Sequence, residues 1–487
     1  MDCRGCMRFD RYCFTKNMVM KTLFCSISLN TMNCNMRLCL AGAIIIFSCI
    51  FGQPGSSTSD SYKTAENNNS DSSSFTERDD VLEYISNTLI PGLSTRRIMN
   101  AAQIKNFNLE IRRRGYVVNP LHRDFRLTKK QLSRFITYDK NYLRENAKYD
   151  ISNTLIPKSH RLAEFEKNMN IAGIPEYPTR SFKSGVIISP ALIRLAPSMI
   201  YRMTMMNDYF FDAIQISFLN IGETVMVIHQ SMDKEWLLVQ SAHSRGWIKK
   251  IHFAQMSRKE IEKMNSSTKF IVVTGNRTLI TDQETSAVFP LFMGTRLAYE
   301  SVTNDMFQIS LGSKKFTVPK NSNIETDYPS LTQKNIAAQA FRMRGEKYSW
   351  GGLDGDTDCS GYIARVYASF GIILPRGSIR QFSVFEQGEI INNGFVDHMV
   401  PFLTLIRIHG HIMIYAGQLN DQPLIMHNVW KYFDDKNTKQ IIGRTVVTGM
   451  DLGKNSREGT IMSRVLGFAT LPGLPQSAAA LCLEEKR

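Results

Sequence analysis

Cysteine is almost missing from the body of this 487-residue chain: seven of nine fall at Cys3, Cys6, Cys13, Cys25, Cys34, Cys39 and Cys49, leaving only Cys359 and Cys482. That distribution excludes a disulfide framework for the folded part and isolates one thiol in mid-chain. The apolar run Leu38 to Phe51, preceded by Arg37, spans 14 residues, too few for a membrane span and suited to the core of a secretory signal. Acidic residues are outnumbered, 44 against 59 Lys and Arg, for a net charge of +15. The basic residues are scattered, and zinc-finger spacing and glycine-rich phosphate loops are lacking, which excludes nucleic acid and favours an anionic cell envelope as surroundings. Metal patterns fail too. Asp354-x-Asp356-x-Asp358 starts like a calcium loop, yet Cys359 and Arg365 stand where glycine and glutamate are needed. His409 and His411 with His427 offer zinc ligands only by leaving the cysteine without a base. No cofactor is expected.

The chain is too long for one ordinary core and divides by composition. Residues 1–52 read as a signal peptide, and the 36 residues before the apolar run suggest a start at Met32 or Met36. Ile46-Phe47-Ser48-Cys49 resembles a degenerate lipoprotein box, so a lipid anchor at Cys49 and plain secretion are both open. This segment holds six Lys/Arg and two Asp/Glu, so the remainder carries +11. Residues 53–80 are polar and low in complexity, a disordered tether. Residues 81–181 show helical, charged patterning. Within them Ile85-Ser-Asn-Thr-Leu-Ile-Pro91 recurs as Ile151-Ser-Asn-Thr-Leu-Ile-Pro157, which predicts a duplicated helix ending at proline.

From residue 182 the period becomes two. Gly222-Glu-Thr-Val-Met-Val-Ile-His, a turn near Met232, Trp236-Leu-Leu-Val-Gln-Ser, then Gly246-Trp247 predict a small antiparallel barrel over 182–256. A weaker echo about 72 residues later, from Gly294 through Phe307, predicts a second barrel over 257–325. Trp236 reads as core ahead of surface. Residues 326–475 form a third unit, and 476–487 a tail.

In that third unit, Tyr348-Ser-Trp-Gly-Gly352 is an extended segment leading to Asp358-Cys359-Ser360-Gly361. The following SGYIARVYASFG puts Ile363, Val366 and Phe370 on one helical stripe, with Gly371 as the stop. Cys359 therefore sits at a helix N-terminus, where a lowered thiol pKa is expected. Thr332 caps an earlier helix bearing Ile336, Ala337, Ala340 and Phe341. Two later strands carry His411 and His427, and a hairpin looped at 418–420 sets them opposite each other on one face. Nucleophile, general base and a group to orient the base are then all supplied.

Tyr348-x-Trp350-Gly351-Gly352, Asp358-Cys359-Ser360-Gly361, Leu374-Pro375-Arg376-x-Ser378-x-x-Gln381, the glycine-histidine strand and His427 together resemble the NlpC-type (NlpC and p-sixty) cysteine peptidases. The resemblance spans about residues 328–475. It implies an α+β protein: a papain-like catalytic domain preceded by two bacterial Src-homology-3-like barrels and a helical N-terminal region. It also implies an exported cell-envelope enzyme acting on peptidoglycan stem peptides, cutting between γ-D-glutamate and a diamino acid where the L-alanine amine is free.

The implied roles are Cys359 as nucleophile, His411 as base and His427 as its orienting partner. Asp358 and Ser378 hold the substrate amine, Tyr348 and Ser360 line the site, and an aromatic of the first barrel, somewhere in Tyr201 to Phe211, assists. The backbone N–H of Cys359 serves as an oxyanion donor. An acyltransferase or amidase on the same fold, or a non-catalytic wall-binding protein, are the competing readings.

Overall fold

Caps and apolar stripes coincide in the N-terminal region. Asn100 and Gln103 form a capping box on the helix Ala101–Arg113, and Thr128 and Gln131 form another on Lys129–Asn146, whose buried face carries Leu132, Ile136 and Leu143. The computed structural model describes residues 79–122, 125–353, 355–388 and 396–472, all within one compact unit. The expected signal peptide, the anchor at Cys49, nearly all of the tether and the tail lie outside the described residues. Among the described residues no helix is long and apolar enough to cross a membrane.

The repeated heptapeptide corrects the expectation of a duplicated helix. Its first copy continues the helix Asp79–Tyr84 as a π-helical turn over Ile85–Leu89, with Ile85 fully buried. The second copy is a turn. Asp150 accepts hydrogen bonds from the N–H groups of Ser152 and Thr154 at 2.9 Å each, Asn153 takes φ 62°, and Ile151 is 63% exposed. An aspartate just ahead of the repeat offers the backbone an alternative to the helix, so seven identical residues fold in two ways.

The first barrel region is a seven-stranded antiparallel sheet. Its strand order is Gln215–Leu219, Ala191–Arg194, Arg245–Lys249, Trp236–Gln240, Thr224–Gln230, Lys183–Ile187 and Phe253–Gln255. Trp236 and Trp247 are buried core. The second region folds as a five-stranded and a three-stranded sheet between Phe270 and Glu325. The 72-residue echo is structural: Gly222 and Gly294 take φ +85° and +83° at turns that a side chain would strain.

The last sheet holds six antiparallel strands in the order Glu386–Gly388, Gly467–Thr470, Thr404–Ile408, His411–Leu419, Gln422–Phe433, Lys439–Gly449. The helix Cys359–Ala368 packs on it, burying Ile363, Val366 and Phe370, and Gly371 ends the helix at φ +79°. Beneath lies the helix Gln333–Arg342, capped by Thr332, and the Tyr362 hydroxyl donates to the carbonyl of Ala340.

Candidate active site

Two cross-strand details bring the histidines together. The hairpin loop is Asn420-Asp421, both at positive φ, rather than 418–420. The partners are Gly417↔Leu424 beyond the break and Tyr415↔Ile425 before it, so Ala416 is a bulge. Unbulged pairing from this loop would put His411 opposite Trp430 and turn it away from His427. One extra residue restores the shared face, two positions out of direct register. The imidazoles then meet diagonally, with His411 Nε2 and His427 Nδ1 2.9 Å apart. His427 Nε2 lies 3.1 Å from the hydroxyl of buried Thr448 on the next strand. His409, expected to share the strand face with His411, instead sits in the two-residue turn with Gly410.

That line of contacts admits two tautomer sets, since the Thr448 hydroxyl can donate or accept. In the set that suits a base, His411 Nε2–H donates to His427 Nδ1, His427 carries its proton on Nε2 and donates to Thr448, and His411 Nδ1 is left as an acceptor. The sulfur of Cys359 accepts from the N–H groups of Ser360 and of Ile412, the residue after His411. The thiol therefore rests between the first turn of its helix and the start of the histidine strand.

Charge in this site departs from expectation. Burial, then the neighbouring Asp358 charge, push the Cys359 thiol up to about 12 despite those N–H donors. Burial, then Arg464, hold His411 down to about 4, and His427 is pushed well below the usual imidazole range by burial and His411. The lowered thiol pKa expected from the helix N-terminus is thus overridden by desolvation. At neutral pH the Cys359 thiol is therefore protonated and both imidazoles are neutral.

Asp358 is the N-cap of the cysteine helix, accepting from Gly361 N–H at 2.7 Å. It also accepts from Ser360 Oγ at 2.9 Å, from Gly351 N–H at 3.2 Å, and from both Arg376 Nη atoms at 3.0 and 2.7 Å. Arg376 leads the causes that draw the Asp358 carboxyl below its ordinary range against the cost of its burial. Gln381 donates to the Ser360 carbonyl at 2.7 Å, and Asn428 donates to the carbonyl and hydroxyl of Thr357 at 3.1 and 2.9 Å. The loop before Cys359 is thus tied from both sides. Ser378 begins the helix Ser378–Val384, two residues beyond Arg376. Burial, then the charges of Cys359 and Asp358, raise the Tyr348 phenol well above its usual range, so it stays a hydrogen-bond donor beside the sulfur.

The segment after Tyr348 is not extended: Trp350–Gly352 is a tight 3₁₀ turn. A Cβ on Gly351, at φ +60°, would stand 2.9 Å from Gln215 Cγ and 3.1 Å from the Ile216 carbonyl. Glycine there lets the turn dock on the first-barrel strand Gln215–Leu219, where Gln215 donates to the Gly351 carbonyl at 3.0 Å and Arg376 Nε to Ser217 Oγ at 3.2 Å.

Two aromatics of the first-barrel region, Phe210 and Phe211, reach the cluster of Tyr348, Trp350 and Trp430. The Phe211 ring lies 6.0 Å from Tyr348, 5.3 Å from Trp350 and 5.9 Å from Trp430, and the Phe210 ring lies 4.1 Å from Trp430. This loop stands on the buried pair Arg194–Asp212, 2.5 Å apart, with Arg194 Nη2 also donating to the Ile200 carbonyl. The second heptapeptide copy props it from outside. Tyr149 and Met203 exchange backbone hydrogen bonds, Asn207 N–H donates to Asn153 Oδ1 at 2.6 Å, and Asn153 meets the Tyr209 hydroxyl.

Comparison with known proteins follows this geometry: residues 345–434 match the NlpC/P60 family. The chain carries an NlpC/P60 domain. Residues 203–249 match an SH3 domain of the SH3b1 type. Among solved structures, an NlpC/P60 endopeptidase from Photobacterium damselae subsp. piscicida is similar at 21% identity and a TM-score of 0.64, over 84% of this chain and 100% of that one. An NlpC/P60 family protein from Bacillus cereus aligns at 15% identity and a TM-score of 0.46, over 60% of this chain and 100% of that one. No curated protein matches. The NlpC/P60 domain behind an SH3b domain, in a mixed helix-and-sheet chain with a helical N-terminal region, supports a cysteine peptidase or hydrolase. Cys359, His411, His427, Asp358, Ser360 and Tyr348 all fall within the matched span.

Proposed function

We propose that this chain is an exported cell-wall cysteine endopeptidase that hydrolyses the bond between γ-D-glutamate and a diamino acid in peptidoglycan stem peptides. The reading is supported by the contact line from Thr448 through His427 to His411, with the sulfur of Cys359 on the N–H of the next residue, Ile412. In the proposed reaction His411 Nδ1 takes the thiol proton as sulfur attacks the amide carbonyl, and the oxyanion is met by the Cys359 N–H. The imidazolium then protonates the departing amine of the diamino acid, leaving a thioester that water hydrolyses to release the γ-glutamyl carboxylate and regenerate the thiol. In this tautomer His427 accepts from His411 Nε2 before and after proton transfer, so the ring need not turn when it becomes charged.

Phe211, Tyr348, Trp350 and Trp430 form an aromatic wall at the join of first barrel and catalytic domain, and we assign it to the substrate's N-terminal side. Ser360 and Ser378 line that side. A substrate ammonium at Asp358 has to share a carboxylate whose charge Arg376 already balances, so amine binding contributes less than it would at an unpaired carboxylate. That pairing favours a second reading in which the enzyme cuts the same bond without reading the amine.

Incubation with L-Ala-γ-D-Glu-diaminopimelate and with its N-acetylated form, followed by mass spectrometry of free diaminopimelate, tests both. The native protein is expected to release it and Cys359→Ala to release none. Equal release from the two substrates selects the second reading, and release by Cys359→Ala or none by the native protein overturns the assignment.

A further inference from the structure

A hydroxyl stands where the line of imidazoles ends. Thr448, on the strand Lys439–Gly449, pairs with Ile425 and so lies two residues along from Val446, the partner of His427. Its hydroxyl is 3.1 Å from His427 Nε2, and both side chains are fully buried, so solvent serves neither atom. A buried N–H without an acceptor costs about 1–3 kcal/mol, so the group standing at Nε2 decides whether His427 keeps a proton there.

Charge does not make that choice. Asp358 and Arg464 act on His411, whereas His427 is influenced only by burial and by His411, with no carboxylate among the causes. Where an aspartate would hold a proton on the facing nitrogen by its charge, a hydroxyl has only its hydrogen bond to offer. The two nitrogens of a neutral imidazole are linked. A proton on His427 Nε2 leaves Nδ1 to accept from His411 Nε2–H, and His411 Nδ1 is then an acceptor. A proton on His427 Nδ1 reverses every member of the line and puts the His411 proton on Nδ1.

We infer that Thr448 is a positioning residue: its hydroxyl accepts from His427 Nε2–H and thereby keeps His411 Nδ1, at the far end of the pair, free of a proton. That this nitrogen then serves as the base rests on the function proposed above, whereas the placement of the protons does not. Valine at 448 keeps the shape and removes the acceptor. The His427 proton then moves to Nδ1, where His411 Nε2 accepts it, and His411 is left protonated on the nitrogen that has to receive the thiol proton.

Histidine ¹⁵N spectra of the full-length protein near neutral pH, compared with Thr448→Val and Thr448→Ser and assigned with His411→Gln and His427→Gln, read these positions directly. The native protein and Thr448→Ser are expected to carry the proton of both rings on Nε2, and Thr448→Val on Nδ1 of both. With L-Ala-γ-D-Glu-diaminopimelate as substrate, Thr448→Val is expected to lower kcat by about tenfold or more with KM nearly kept, and Thr448→Ser to restore most of it. A merely structural role would lower the urea midpoint of Thr448→Val without moving either proton. A proton on His411 Nδ1 in the native protein, or a Thr448→Val spectrum with the native proton positions, overturns the proposal. Protons that move as stated in a protein that leaves the peptide uncut uphold the role of Thr448 and overturn only the substrate reading.

Discussion

The first and second barrel regions flank the same helix and do different work. The first meets the reacting side: Gln215 holds Gly351, Ser217 holds Arg376, and Phe211 joins Tyr348, Trp350 and Trp430. The second meets the helix from behind. A Cβ on Gly294 would stand 2.5 Å from the Ala368 Cβ, the Arg365 guanidinium lies 4.3 Å over the Phe292 ring, and Arg277 pairs with Glu346 and Asp356. The two regions thus meet different parts of the catalytic-domain framework, the first at Gly351, Arg376 and the Tyr348 aromatics and the second at Arg365 and Ala368.

Substitutions break or sharpen that contrast. The largest effect is expected from Asp212→Ala, which leaves Arg194 buried without its partner under the Phe211 loop. It should cost about 3–5 kcal/mol in urea unfolding and raise KM as the loop loosens. Gly294→Val, forced into φ +83° against the cysteine helix, should cost roughly 3 kcal/mol in the same measurement. Its KM should stay unchanged in the folded fraction, and a raised KM without lost stability would erase the distinction. Phe211→Ala should raise KM by about tenfold with kcat nearly kept, since it removes aromatic contact surface rather than a reacting group. Ser217→Ala, which removes one acceptor from Arg376, should cost about 1 kcal/mol or less and change kcat/KM by only a few-fold.

Much of the candidate site was legible in residue types. Cys359 precedes an apolar stripe of helical period, and His411 and His427 stand in strand-like runs, so a thiol at a helix start and two imidazoles on one sheet follow from local pattern. The register did not. The bulge at Ala416 is marked only by the adjacent Gly417, at φ +108°, whose meaning within the strand was not read, and the correct face was reached with the wrong loop. Thr448 was missed because its role depends on which strand lies beside His427, a long-range pairing. Arg376 was visible in its motif, but its closure on Asp358 arises only when the helix start and the following loop meet. Phe211 was one of several aromatics until the buried Arg194–Asp212 pair gave its loop a shape. The thiol's pKa was misjudged because a helix N-terminus is a local feature, whereas desolvation is a property of the assembled fold. The repeated heptapeptide shows the same limit, its second copy being diverted by the preceding Asp150.

Histidine ¹⁵N NMR across pH 4 to 8 tests the account most directly, with His411→Gln and His427→Gln assigning the two rings. Burial lowers both values, so each ring should stay neutral through the usual imidazole range near 6.5, with His411 protonating only toward pH 4. Both should carry their proton on Nε2. Titration of either ring near 6.5, or a proton on His411 Nδ1 in the free protein, would contradict a neutral base aimed at a protonated thiol.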